Sequence, residues 1–200
     1  VSINPHYVVV ASPFGSSSPP KGIVPPASTV SNLSPSKFGP GVLKSPTQNA
    51  NIMSAAEALF LQAEGAAAGI IPGSAQTFYN AGILASFVDD LVPNAAANAA
   101  AYEAQPQIAF PVAGTFAQQQ KAIIVQKWAA LNLYGAFEAF NEFRRTGYPD
   151  NIPLSIYPQN NAPNQVARIP YPFVEYATNA GSVKAQGDIN IFSSKIFWAK

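Results

Sequence analysis

Carboxylates are scarce in this chain, ten in 200 residues, so their spacing is the first place to look for chemistry. Glu138 and Glu142 stand four residues apart and Glu57 and Glu64 seven apart, spacings that put each pair on one face of a helix. A glycoside hydrolase needs two such groups, one to protonate the leaving oxygen and one to act as base or nucleophile across the scissile bond. Two neighbours on a single helix face do not flank a substrate, and ion pairing with Lys127, Arg144 and Arg145 is the commoner use of such rows. Asp89-Asp90 offer only two carboxylates at a helix end, where calcium asks for clustered oxygens and where the negative helix pole disfavours acids. Gly39-Pro40-Gly41 lacks the Lys-Ser/Thr ending of a phosphate loop and opens no helix.

Binding chemistry has better material. Sugars present apolar ring faces and hydroxyl edges, and aromatic rings beside amides answer both. Tyr157-Pro158-Gln159-Asn160-Asn161 sets one ring next to three amides, with Tyr171 and Tyr176 further on. The candidate carbohydrate contacts are therefore Tyr157, Gln159, Asn160 and Asn161. Aromatic residues make up 12% of the chain, and filling a core is the usual role for any one of them.

Composition removes most alternatives. There is no cysteine, so disulfide frameworks, thiolate zinc sites and cysteine nucleophiles are excluded. The single histidine, His6, leaves no histidine-rich metal centre, and any histidine-dependent triad would hang on it. Charged residues are only 10% of the chain and the net charge is +1, with three arginines and no basic stripe, which argues against nucleic acid. No cofactor or metal is expected. Val1 to Val10 has neither the basic start nor the apolar run of a signal peptide, and a chain without an initial Met reads as a mature or truncated form. No run of about 18 apolar residues occurs that would span a bilayer.

The elements that must hold these groups follow from prolines and periodicity. Residues 1–50 hold nine prolines, three lysines and no carboxylate, an extended arm in which at most Tyr7-Val8-Val9-Val10 makes a short strand. Helices are expected over about 52–69, 75–91, 95–104 and 116–145. Asn51 or Ser54 caps the first, Gly69 and Pro72-Gly73 end it, Ser74 caps the second and Pro93 stops it, making an αα-hairpin. The longest ends on Arg144-Arg145, which suit the negative pole, followed by Gly147 and Pro149. Residues 150–200 are again rich in Pro and Asn and read as an extended C-terminal arm packing on the helices.

Three stretches add what composition does not. Ile52-Met53-Ser54-Ala55-Ala56-Glu57-Ala58-Leu59-Phe60-Leu61-Gln62-Ala63-Glu64 resembles the MSYAEVLFLLAEA helix of the SusD/RagB family. Gln126-Lys127-Trp128, then Glu138, then Arg144-Arg145-Thr146-Gly147-Tyr148-Pro149 is similar to its QKW…E…RRTGYP run. Arg168-Ile169-Pro170-Tyr171-Pro172 with Glu175-Tyr176 and Asn179 resembles its R-PYP-xEY-xN segment, in the same order. The chain departs from the pattern in having Ser182-Val183 where the family often has Asn-Val, and Phe140 rather than Trp after Glu138.

This resemblance implies an all-α fold of tetratricopeptide-like helix pairs with long ordered loops and extended arms, the chain being a C-terminal portion of one larger domain. It implies a non-enzymatic, glycan-binding outer-membrane lipoprotein of Bacteroidetes, displayed on the extracellular face through a lipid anchor missing from this chain. Its partners would be an oligosaccharide and a TonB-dependent transporter of the SusC kind. The alternative is a structural portion that docks the transporter or the missing N-terminal half without touching sugar. On either reading Glu57, Glu64, Trp128, Glu138, Arg144, Arg145, Gly147, Tyr148, Pro149, Arg168, Tyr171, Pro172 and Glu175 are scaffold residues. In particular, Arg144 and Arg145 would fix the following loop through the Glu138 and Glu142 row.

Overall fold

The computed structural model describes residues 41–152, 154 and 164–199. Among them the chain is all-helical, without a strand, and it falls into two compact units that divide after Glu142.

The first unit is built on helix pairs. Helix α1 spans Ala55–Ala67 and α2 spans Ala75–Asp89, each opened by a serine whose hydroxyl accepts a backbone N–H of the first turn: Ser54 from Glu57 and Ser74 from Thr77. Between them, Gly69 and Gly73 take positive φ (70° and 120°), and the N–H of Ile70 returns to the carbonyl of Gly65 at 2.9 Å to close α1. Apolar residues at three- and four-residue steps then meet: Ala56, Phe60 and Ala63 from α1 face Tyr79, Ile83 and Phe87 from α2. Gly82 makes the close approach possible, since a Cβ there would lie 2.9 Å from the Phe60 ring.

Helix α3, Ala95–Glu103, packs on α2, and α4, Phe116–Ala130, packs on α1 and α2. A reciprocal capping box between Thr115 and Gln118 starts α4. The core is closed by Ala99, Phe110 and Ile123, with ring contacts from Phe60 to Tyr79 (6.1 Å), Tyr79 to Phe110 (5.1 Å) and Phe87 to Tyr102 (5.6 Å).

One expected helix is two. The periodicity predicts a single helix over 116–145, but α4 ends at Ala130 and α5 begins at Ala136, running to Thr146. Leu133 sits in the left-handed region (φ 71°), and the N–H groups of Tyr134 and Gly135 both return to the carbonyl of Leu131. Gly135, four residues on from Leu131, lies in this turn, where a Cβ would lie 2.6 Å from the Leu131 side chain. Smaller differences lie at the ends: the first helix starts three residues later than expected, and the second stops at Asp89, with Leu91 left-handed (φ 55°) two residues on.

Segment 41–50 is turn and extended chain tied to this unit. The Tyr134 hydroxyl donates to the Gly41 carbonyl at 2.7 Å, and Lys44 Nζ lies 2.8 Å from Asp89. Lys44 thereby answers the acid left at the negative end of α2 and is itself held above its ordinary pKa, chiefly by its hydrogen bond to Asp89. The neighbouring Asp90 is buried.

In the second unit the region expected as an extended arm contains two short helices, α6 (Phe173–Thr178) and α7 (Ala180–Ala185). Six residues leave no room for an apolar period to register in sequence, and Pro172, extended at φ −63° and ψ 152°, stands just before the first of them. The Tyr148-Pro149 peptide is cis.

Candidate functional site

Most of the carboxylates considered for chemistry are enclosed in the first unit. Lys127 on α4 is 2% exposed, with Nζ 2.8 Å from Glu142 of α5 and 4.0 Å from Glu57 of α1. Fifteen residues of continuous helix would hold Lys127 and Glu142 about 22 Å apart. The left-handed turn at Leu133 therefore brings them together. Glu64, one helical face along from Glu57, accepts from Gln120 Nε2 at 2.8 Å, and Gln126 accepts from the Tyr102 hydroxyl at 3.1 Å.

These contacts form a polar seam in which α4 meets α1, α3 and α5, with one cation set against two acids. A buried ion pair of this kind fixes register and leaves no face for a substrate. Glu138 lies exposed in the first turn of α5, whereas Glu142 faces Lys127. Trp128 is half-buried on α4.

The second unit holds the remaining motif residues. Arg144 lies over the Trp198 ring, 4.9 Å from guanidinium carbon to ring centroid, and Arg168 lies over Tyr171 at 5.0 Å. Gly147 closes α5 with φ 78°, its N–H donating to the Phe143 carbonyl at 2.8 Å, and the N–H of Tyr148 donates to Thr146 Oγ1 at 3.2 Å. Pro149 is buried. Asn179 Nδ2 donates to Glu175 Oε2 at 3.2 Å across one turn at the end of α6.

Trp198 was not singled out from sequence. The available signal was modest, a second tryptophan close behind a second apolar cluster at the chain end. The inward amide Gln120 was missed as well, and Gln126 stands out only as part of the Gln126-Lys127-Trp128 run, because an uncharged polar residue in a helix carries no sign of which side it faces.

Tyr157, Gln159, Asn160 and Asn161 lie outside the described residues. Among the described residues no group of histidine, cysteine or acidic side chains is placed to hold a metal ion, and no helix is long and apolar enough to cross a membrane.

Comparison with known proteins adds the following. The SusD-like family model, described as starch-binding and associating with the outer membrane, matches residues 11–172. A SusD-like structure from Bacteroidetes is 28% identical (TM-score 0.62), over 74% of this chain and 30% of that one. A SusD homolog from Bacteroides fragilis is 29% identical (TM-score 0.61), over 76% of this chain and 35% of that one. A structure described as a chitin-binding SusD homolog from Flavobacterium johnsoniae is 31% identical (TM-score 0.58), over 74% and 36%. The chain thus spans about a third of the length of these structures. No curated protein matches it.

Proposed function

The chain belongs to the SusD-like family, and we propose that it is part of a non-enzymatic protein that binds oligosaccharides at the bacterial outer membrane and passes them to a TonB-dependent transporter of the SusC kind. The observation that carries this reading is the family match over residues 11–172, to a family described as starch-binding and associating with the outer membrane. The chitin-binding relative supports the same ligand class. Within the chain, sugar contact is assigned to Tyr157, Gln159, Asn160 and Asn161, a ring and three amides that match a pyranose face and its hydroxyls. Display on the extracellular face through a lipid anchor completes the reading.

Titration calorimetry of the family-length protein against malto- and chito-oligosaccharides tests it. Heat of binding is expected for one series, with Tyr157→Ala weakening it by about tenfold, the usual worth of one stacked ring. Silence across both series would sink the glycan assignment. Co-purification of a transporter barrel with the tagged protein tests delivery.

A second reading has its own support. The motif residues Glu57, Arg144 and Arg168 are spent on contacts within the chain, as expected of a structural portion. Tyr157→Ala binding sugar as tightly as the parent protein would favour it.

A further inference from the structure

Residues 41–54, the lead into α1, carry no part of the glycan reading, yet they are fastened to the helices in a definite way. Gly41 is buried so close to the Asp90 backbone that a Cβ there would overlap its carbonyl, and the Gly41 carbonyl accepts the Tyr134 hydroxyl at 2.7 Å. Ser54 is fixed at the other end as the cap of α1. Between these two anchors residues 43–53 are all exposed.

Within the stretch, Gln48 gathers its neighbours into one body. Its side-chain oxygen accepts the Lys44 N–H at 2.7 Å, its side-chain amide donates to the Val42 carbonyl at 3.2 Å, and its backbone N–H donates to the Ser45 carbonyl at 3.2 Å. Among the described residues, the hydrogen bond that ties this body to the helices is that of Lys44 Nζ to Asp89 at 2.8 Å, with the two side chains 38% and 40% exposed. The attachments answer differently to solvent. The Tyr134–Gly41 bond and the Ser54 cap are neutral, so dissolved ions do not screen them. An exposed ion pair is weak and is screened. Lys44 also lies within electrostatic reach of Asp90 and Tyr134. Its departure would leave two acids at the negative pole of α2 without that cation, which favours keeping the strap shut at low salt.

We propose that residues 43–53 form a salt-gated strap: Lys44 on Asp89 holds it shut over the negative end of α2, and screening of that pair releases it while Gly41 and Ser54 stay fixed. The proposal does not rest on sugar binding, so a failed glycan titration leaves it standing.

Cleavage by trypsin after Lys44 in the 200-residue chain tests the proposal, with a free peptide of residues 41–50 in the same reaction to remove the protease's own response to salt. Relative to the peptide, cleavage of the parent chain is expected to speed up about threefold between about 0.01 M and about 1 M salt, as the Debye length falls from about 30 Å to about 3 Å. Asp89→Asn keeps the side chain's shape and should be cut at the faster rate at both ends of that range. Tyr134→Phe should speed cleavage and keep the salt dependence, since it loosens a neutral anchor and leaves the ion pair in place. A parent rate that does not move with salt would overturn the proposal, and so would an Asp89→Asn chain that keeps the parent's salt dependence. A salt response matched by an equal loss of global stability would overturn it too, because the whole unit and not the strap would then be opening.

Discussion

At the scale of single residues, Lys127 is the side chain on which most depends. It is the cation placed between Glu57 and Glu142, and its ammonium is almost wholly out of water. Replacing it by methionine keeps most of the volume and leaves two enclosed carboxylates without that cation, a change that costs about 3–5 kcal/mol. Lys127→Met should therefore move the urea midpoint far more than Lys127→Met combined with Glu57→Gln and Glu142→Gln, where the two carboxylates that face it lose their charge as well. Equal losses would show that packing and not charge is what Lys127 supplies.

Tyr79 gives a pH-dependent counterpart. Its hydroxyl donates to the Ile108 carbonyl at 2.6 Å, and burial, with lesser help from Tyr102 and Glu103, pushes its pKa well above the ordinary value of 10.0. A raised folded value means that the unfolded chain loses this proton first. The stabilisation is complete below pH 10.0 and falls away as pH rises from there through the folded value. Stability measured at pH 8 and pH 11 should drop more steeply for the parent than for Tyr79→Phe, which itself starts lower by about 1 kcal/mol for the lost hydrogen bond.

Elements are held by how closely their backbones meet, and α1 and α2 meet over a glycine. In an exposed helix Gly82→Ala would gain about 1 kcal/mol of helix propensity. Here the new methyl would meet the Phe60 ring at 2.9 Å from both Cε1 and Cζ, a ring that is itself fully buried. Overpacking of this kind costs about 1–3 kcal/mol, so the substitution should lower the thermal midpoint despite the better propensity. A raised midpoint would mean that Phe60 has room to turn aside.

Element scale is also where the limits of the sequence are clearest. Ser54, Ser74, Gly69 and Gly73 announce their caps and turns because each has a side-chain or backbone chemistry that only such a position uses. The break between α4 and α5 has no such sign: Leu131 and Gly135 fall at three- and four-residue steps from Ile124 and Trp128, as in one continuous helix, and the left-handed conformation of Leu133 is one that no local propensity encodes. The ion-pair seam was legible as residue types, since lysine and arginines were set against the two glutamate rows. That it is buried was not legible, because Lys127 meets Glu142 only once the chain has turned back.

At the scale of the whole molecule the two units differ in what sustains them. The first has a continuous apolar core from Ala56 to Ile123, whereas the second relies on hydrogen-bonded loops and two stacked cations. Each unit carries one of the two tryptophans, Trp128 in the first and Trp198 in the second. Trp198 is 40% exposed under Arg144, so its fluorescence reports whether that stack is intact. With Trp128→Phe, leaving Trp198 as reporter, the emission change should come at low urea and with a shallow slope, because little apolar surface is released. With Trp198→Phe, the Trp128 signal should hold to higher urea and then fall steeply as the core opens. Two separate midpoints mean that the chain does not unfold in one step and that a single stability value would misdescribe it. Coincident midpoints would instead show that the second unit draws its stability from the core of the first, and the loops around Trp198 would have to be counted as part of one cooperative structure.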